Sequence, residues 1–554
     1  MKKYIFLTVI IFIGIILRFW DLGQIPPGVS HDEAAIGYNA YSILTTGKDE
    51  YGNPWPIFFR SFDDSKLPGM IYSVAISEKI FGLNEFGVRF PSAFLGVLTI
   101  IAFYFLLKEL FRNTNLKLEI KNWKLEIPEV AALLLAISPW HINFSRAAFE
   151  TNGSLFFIVL SILLLVKTFK NPSFFIASVM SAVISFYFYY TSRILIPIVF
   201  LVFFLIYKDR FLKIKKWVTA GIILGVIFSI PILFNILNPV GLTRVNTVSI
   251  LEDKSYTNPY SQAILRNNNS LLSKIIYNRR IAYLQQFSEN YLKNLAPDFY
   301  FATGTGPMGL MYLWEAPLVL LGIYFLFRIK EKWKWIFIAW FFAVPIVGGL
   351  TTQQPNPFRT LPNVPVVVLF SAMGIYYLYN ILKKNRFFKF YLSLFVIVFI
   401  FFFIRFLVLY FDYQPYHTSL VWGDGHKQMA QFVKENKSKY DNIYVTGYFW
   451  RPYIYMLFYL KYQPSLYQKS GSIDGFENIH FGISQWDRGE GINFATSDLS
   501  SYIKGNTIFI LSSEDFNSQN NLIQSEKRQY KFEVLKKIDG VYSKSVYYIV
   551  KLIS

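Results

Sequence analysis

Long apolar runs, broken by short polar connections, dominate the pattern of this chain. The first run, "YIFLTVIIFIGIILRFW", is followed at once by "DLGQIPPGVSHDEAAIGYNAYSIL". Runs of about 17–25 apolar residues are long enough to cross a bilayer as helices. Eleven spans are read at about 4–20, 90–107, 128–143, 153–169, 173–190, 193–207, 217–237, 312–327, 335–350, 362–381 and 390–411. The first run is longer than a signal-peptide core and lacks a small-x-small cleavage site. It is therefore read as an uncleaved first helix.

The polar connections alternate in charge. One set carries Lys2 and Lys3; Lys108, Arg112, Lys117, Lys121 and Lys124; Lys167 and Lys170; Lys208 to Lys216; Arg328 to Lys334; and Lys383 to Lys389. The other set is nearly free of such clusters: the connection near 144–152 has only Arg146, and that near 351–361 only Arg359. Lys and Arg accumulate on the cytoplasmic side. The N-terminus is thus expected in the cytoplasm of a multi-pass cell-membrane protein. Three segments are expected outside: a first loop over 21–89, a second over 238–311 and a C-terminal domain over 412–554, after a membrane domain over 1–411.

Within the first loop, Ser30 stands three residues before Glu33, the spacing of a capping box. Asp32 and Glu33 then fall in a first helical turn, where carboxylates suit the helix dipole. Ile36, Ala40, Ile43 and Leu44 share one face, which predicts a helix over 32–46 lying on the outer membrane surface. The second loop predicts a helix over about 271–294. In the C-terminal segment, "NIYVTGY", "TIFILS" and "VYYIVKLI" read as buried strands and "GHKQMAQFVKENKSKY" as an amphipathic helix, hence a small α/β domain. No repeat of fixed period is present.

Composition agrees with a membrane protein: 53% hydrophobic, 19% aromatic and only 16% charged, against about 25% charged in soluble domains. The net charge of +20 follows from the basic cytoplasmic connections and does not call for nucleic acid. With no cysteine, disulfides, thiol catalysis and Cys-ligated metals are excluded.

Candidate chemistry lies at the outer ends of the spans. The capping box accounts for Glu33 but does not require Asp32. Lys66 lies in the first loop, Arg146 and Glu150 in "SPWHINFSRAAFETNGS", Arg193 after "YFYYTS", and Arg359 in "TTQQPNPFRTLPNVP". Charges at span ends often only snorkel, yet acids and bases from several outer turns can also converge on one cleft.

The succession "HDEAAIGYNAYSILTTGKDEYGNPWP", "KLPGMIYSVAISEKIFG", "GVRFPSAFLGVLTI", "SPWHINFSRAAFE" and "PFRTLPNVPVVVLFSAMGIYYL" resembles the polyprenyl-phosphate-sugar-dependent glycosyltransferases of the GT-C membrane fold. The similarity is to the protein O-mannosyltransferases of glycosyltransferase family 39 and to the aminoarabinose transferases, over about residues 1–385. It implies a GT-C fold of about 11 transmembrane helices with extracytoplasmic juxtamembrane helices. It also implies a carboxylate base at Asp32 with Glu33 beside it, a second acid at Glu150, a lipid-phosphate contact at Lys66 and an outer-loop arginine at Arg359. Lys66 is followed by Leu67 and Pro68, whereas the family places the proline directly after the basic residue. Arg193 and Arg146 are further candidates for the donor phosphate.

The implied donor is a polyprenyl-phosphate sugar, and the acceptor is a hydroxyl on a glycolipid, glycan or protein. Phosphate leaves without needing a proton, so one carboxylate suffices to take the acceptor's proton, while Lys or Arg stabilises charge growing on the phosphate. Asp32, Asp63, Asp64 and Glu150 are oxygen ligands of the kind a divalent cation takes, but no ligand-spacing motif marks a metal. A polyprenyl-linked glycan polymerase or ligase, a non-catalytic assembly subunit and a transporter remain as alternatives. The transporter fits less well, because the charges gather at the outer face and no repeated half is apparent.

The topology is open to a direct check. A periplasm-active reporter fused after residue 415 is expected to be active, and a reporter active only in the cytoplasm to be silent. The reverse result would invert the orientation.

Overall fold

The structure is a computed structural model that describes residues 5–62, 64–114, 116–120, 123–237, 248–304, 308–483, 491–525, 528 and 530–553. It is a helical bundle of the GT-C type carrying an α/β domain on one end. The helices run α1 Ile5–Phe19, α2 His31–Thr46, α3 Pro68–Phe81, α4 Glu85–Leu110, α5 Ile127–Ile137, α6 Pro139–Ser145, α7 Glu150–Lys167, α8 Phe174–Phe188 and α9 Ser192–Ile206. Lys215–Leu237, Glu315–Arg328, Lys334–Gly349, Val364–Leu382 and Phe388–Val408 complete the bundle. Each expected span overlaps one of these helices or the α5–α6 pair, which is bent by 55° between Ile137 and Pro139. Among the described residues, five helices are long and apolar enough to cross a membrane alone, or six if the bent pair is one span.

α4 sets the long axis. Its 26 residues span about 39 Å at 1.5 Å per residue. At its first turn Glu85 accepts from Lys427 of the C-terminal domain at 2.9 Å. At its last turn Lys108 pairs with Glu126, and lies 3.5 Å from Glu129. The basic connections around Lys108 and Lys117 therefore sit at the end of the bundle opposite the C-terminal domain, as the charge alternation requires. That basic connection is itself ordered as a hairpin, β3 (Lys117–Ile120) on β4 (Trp123–Glu126).

The C-terminal domain contains the expected strands at β5 (Asn442–Val445), β8 (Thr507–Ser512) and β10 (Tyr547–Ile553), and the expected helix at His426–Asn436. Three further strands, β6 (Gly475–Phe476), β7 (Ile479–Phe481) and β9 (Lys531–Ile538), complete a six-stranded sheet of order β6-β7-β5-β8-β10-β9. β5 pairs in parallel with β7 and β8, and the other pairs are antiparallel. β9, "KFEVLKKI", is an edge strand exposed along most of its length. Of its apolar residues only Ile538 is buried and Phe532 packs partly on the core, and its lysines suit an edge that must not pair further. The expected helix over 271–294 is two helices, Leu271–Ile276 and Arg279–Lys293, restarted by Asn278, whose side chain accepts from the Arg280 N–H.

α2 corrects one expectation. Its capping box is present, and the helix starts at His31. It does not lie on an open surface: residues from Glu33 to Ala40, together with Ser42 and Ile43, are buried. The helix Pro452–Leu460 of the C-terminal domain covers the side that amphipathicity alone assigned to water. Tyr38 Oη donates to the Tyr462 carbonyl at 3.1 Å, and a Cβ added at Gly37 would stand 2.7 Å from the Phe458 ring. Ala34, Tyr38, Met70, Val74, Tyr453, Leu457 and Phe458 belong to one buried apolar cluster. The C-terminal domain is thus seated on α2 and α3.

A buried acid in this layer gives a pH-dependent stability. Glu78 on α3 is 5% exposed, and neither carboxylate oxygen has a hydrogen-bond partner among the described residues. Burial pushes its carboxyl up to about 9, with Lys461 of the C-terminal domain drawing it partly back. The unfolded chain releases this proton near pH 4.3 while the folded protein keeps it. Stability therefore falls as pH rises from about 4.5 to about 9. Melting temperatures of the detergent-solubilised protein should fall over that window more steeply for the parent than for Glu78→Gln, and the variant should be the more stable at pH 8. Parallel curves would mean that Glu78 does not carry the effect.

Candidate active site

Asp32 and Glu33 are neighbours in one helical turn with opposite surroundings. Glu33 is 1% exposed. One carboxylate oxygen accepts from the Ser30 N–H at 3.1 Å and from Arg89 Nη2 at 3.0 Å; the other accepts from Arg89 Nε at 2.9 Å and from the Ala148 N–H at 3.1 Å. Arg89, wholly buried in α4, also donates to the carbonyls of Leu22, Pro26 and Gly28. With both oxygens used, Glu33 is a structural clamp. Sequence reasoning gave Arg89 no role, although it stands in the stretch "GVRFPSAFLGVLTI" that carries part of the resemblance.

Asp32 turns the other way. Its carboxylate is 46% exposed and accepts from Lys66 Nζ, whose side chain is 10% exposed. Lys66 is delivered by a hairpin, β1 (Phe59–Ser61) on β2 (Asp64–Lys66), in which Phe59 faces Lys66. Leu67 and Pro68 then begin α3, so the offset proline still fixes the lysine at a helix start. Glu150, the first residue of α7, is half-buried and close enough to Lys66 and Asp32 for the three charges to interact. Burial alone would pull Lys66 down, but the carboxylates of Asp32 and Glu150 outweigh it and hold its ammonium above the usual lysine range. Tyr190 donates to the Ser65 carbonyl at 3.5 Å, against the strand that carries Lys66.

Arg359 lies in the short helix Pro357–Thr360. Asn356 caps its short helix, and its guanidinium donates to the Thr352 carbonyl at 2.9 Å. Tyr189 is within electrostatic reach of both Arg359 and Glu150, and Thr191 Oγ1 donates to the Arg359 carbonyl at 3.1 Å. Asp32, Lys66, Glu150 and Arg359 therefore gather at the end of the bundle that faces the C-terminal domain.

The other candidates are differently placed. Arg146 is wholly buried. It donates to the Leu17 and Ile25 carbonyls at 3.1 and 2.9 Å and lies over the Phe411 ring, 4.8 Å from its centroid. It fastens the segment after α1 to the α6–α7 turn and does not reach toward Asp32. Arg193 donates twice to the Phe186 carbonyl and lies 4.5 Å from the Tyr190 ring centroid. It closes the α8–α9 turn and touches the site only through Tyr190. Asp63 lies outside the described residues. Among the described residues, no three His, Asp or Glu side chains come together to hold a metal ion.

His31, not foreseen, lies 3.7 Å from Asp32 through Nε2, too far for a hydrogen bond. Its ring meets Phe62 and Trp450 edge-on, at 5.7 and 4.6 Å between centroids. Burial holds its imidazole below the ordinary value; Asp32 opposes this, while Lys66 and Arg451 add to it. Nearby, a cavity of about 230 Å³ opens between Pro26, Pro27, Phe144, Phe149, Phe358 and Trp422. Phe149 and Phe358 precede Glu150 and Arg359 in sequence, but no charged candidate lines the cavity.

The family described as dolichyl-phosphate-mannose-protein mannosyltransferase matches residues 65–234, which include Lys66, Arg89 and Glu150. An uncharacterized protein of Aquifex aeolicus (strain VF5) is 28% identical over 176 residues, 32% of this chain; the match spans about a third, 32%, of that relative's own length. ArnT from Cupriavidus metallidurans in the apo state matches with a TM-score of 0.55 at 11% identity, over 99% of this chain and 97% of that one. The same protein bound to undecaprenyl phosphate matches with 0.54 at 12% identity, over 99% and 97%. The Archaeoglobus fulgidus oligosaccharyltransferase tethered to an acceptor peptide matches with 0.53 at 12% identity, over 98% and 74%. At these identities the structural likeness is one of fold. The chain is similar to the GT-C-fold glycosyltransferases.

The two carboxylates should separate in a stability measurement. Replacing Glu33 by Gln leaves the buried Arg89 without its counter-charge, a loss of about 3–5 kcal/mol for a broken buried pair. Thermal unfolding in detergent should show a large drop for Glu33→Gln and little change for Asp32→Asn. Equal stabilities would remove the clamp role from Glu33.

Proposed function

We propose that this protein transfers a sugar from a polyprenyl-phosphate donor to an acceptor hydroxyl on the outer face of the membrane, with Asp32 as catalytic base and Lys66 as the donor-phosphate contact. The observation that carries the reading is the Asp32–Lys66 pair itself: a half-exposed carboxylate and a nearly buried ammonium at the outer mouth of the bundle, with Glu150 behind them. The likeness to a fold seen with undecaprenyl phosphate and with an acceptor peptide supports the two substrate classes.

The reaction follows from the residue types. The donor phosphate takes over Lys66 and releases Asp32 from its partner. The carboxylate of Asp32 then removes the proton of the acceptor hydroxyl as that oxygen attacks the anomeric carbon. The bond from the anomeric carbon to the phosphate oxygen breaks, and the polyprenyl phosphate departs with the electron pair, its charge stabilised by Lys66. Attack opposite the leaving phosphate inverts the anomeric centre. Glu150 keeps Lys66 charged while it exchanges partners, and Arg359 adds a second cation on the donor side. Glu33, Arg146 and Arg193 hold the frame in this reading.

The test is transfer by purified variants. Asp32→Asn keeps the side chain's size but not its basicity, so turnover should fall by about 10²–10⁴-fold with donor binding nearly intact. Normal turnover in Asp32→Asn with none in Glu150→Gln would move the base to Glu150. Lys66→Met should weaken retention of undecaprenyl phosphate, read by native mass spectrometry. Unchanged retention in both Lys66→Met and Arg359→Met would remove them from the donor site.

A further inference from the structure

We propose that the Trp450–Arg451 corner of the C-terminal domain forms the acceptor side of the transfer site, holding the incoming hydroxyl group against Asp32; this rests on the reading of Asp32 as the base. The corner stands out first by its backbone. Trp450 has φ 59° and Arg451 φ 52°, ψ 52°, two successive residues in the left-handed region. That region is uncommon for any residue other than glycine and unusual for a bulky one. Arg451 also precedes Pro452, and residues before proline favour extended backbone. Such departures persist where the surroundings over-determine them, and they cluster at working sites.

The second observation is what the corner touches. Trp450 meets His31, the residue before Asp32, at 4.6 Å, and Phe62 at 5.2 Å, in the turn of the hairpin that delivers Lys66. The Arg451 guanidinium lies 5.2 Å from the Trp450 ring centroid and 5.8 Å from that of Phe62. The corner is rigidly mounted, because the helix that follows it, Pro452–Leu460, is the one seated on α2. The groups that suit a lipid phosphate, Lys66 and Arg359 with Glu150, come from the hairpin and the bundle. The aromatic and guanidinium groups beside His31 come instead from the C-terminal domain. An aromatic ring with a cation beside it presents a flat apolar face and hydrogen-bond donors, which fits a polar group that must be oriented rather than swallowed.

The experiment is complementation of a strain lacking this gene. The glycan that the parent protein restores is found by mass spectrometry, so the acceptor need not be known beforehand, and membrane levels are matched by immunoblot. Trp450→Ala and Arg451→Gln should lower that product by about ten- to a hundredfold, the scale of a misplaced reactant. Undecaprenyl phosphate retained on the purified variants should stay within about twofold of the parent, and Trp450→Phe should restore much of the product. Arg451→Gly separates structure from function: glycine accepts the left-handed backbone freely, so its melting temperature should equal or exceed the parent's while the product still falls. Product at parent level in Trp450→Ala and Arg451→Gln would overturn the proposal, as would loss of undecaprenyl phosphate in step with product. Failure of the parent to restore any glycan, or full activity in Asp32→Asn, would overturn the transfer reading itself and this proposal with it.

Discussion

The buried ion pair between Arg89 and Glu33 is the constraint from which the active end is built. Arg89 comes from α4, and Glu33 from the first turn of α2. Their remaining bonds reach the carbonyls of Leu22, Pro26 and Gly28 and the N–H of Ala148. One pair thus binds the segment after α1, the start of α2, the body of α4 and the turn before α7. A charged pair out of water is rarely a net gain over apolar packing. Its value here is directional: seven hydrogen bonds among four segments are satisfied together in one arrangement. Two residues of the candidate site lie beside clamped groups, since Asp32 immediately precedes Glu33 and Glu150 lies two residues after Ala148.

This explains how adjacent carboxylates divide their labour. Helical geometry turns successive side chains by about 100°. When Glu33 points into the bundle toward Arg89, Asp32 must point along the mouth, and there it meets Lys66. The burial of one acid therefore aims the other. The capping box does a second service by anchoring Ser30, so that the helix cannot slip by a residue and exchange the two roles.

The legible parts of the sequence were those set by local pattern. The apolar spans, the Ser30–Glu33 box, the buried strands β5, β8 and β10 and the polar residues Asp32, Lys66, Glu150 and Arg359 at the span ends each left a signal in spacing or composition. What escaped was set by tertiary contacts. α2 reads as a surface helix because its amphipathic pattern cannot announce that the helix Pro452–Leu460 will cover the other side. β9 is not among the expected strands, because an edge strand exposed over most of its length carries only a weak apolar pattern. Arg146 reads as a mouth residue because its position in the connection is visible, while the Leu17 and Ile25 carbonyls that claim it lie more than a hundred residues away. The Trp450–Arg451 corner and the role of Arg89 escaped for the same reason: one "FWRPY" in a loop, and the arginine of a quoted stretch, gain their roles only from what they touch.

The Asp32–Lys66 pair has one further consequence in the proposed reaction. A base already holding an ammonium partner is a weak base, since the ion pair stabilises the carboxylate against protonation. Lys66 is also the best-placed cation for a phosphate. The donor therefore competes with Asp32 for Lys66: its phosphodiester carries one negative charge on two free oxygens, as the carboxylate does, and Arg359, the second cation of the proposed donor side, favours the donor in that exchange. Donor arrival and base release become one event. An acceptor that reaches the mouth first finds Asp32 still engaged, so the geometry favours an order in which the lipid-borne sugar binds before the hydroxyl is activated. Glu150 makes the exchange tolerable, because Lys66 keeps a negative neighbour while it changes partners and is never an uncompensated charge at the mouth of an apolar bundle.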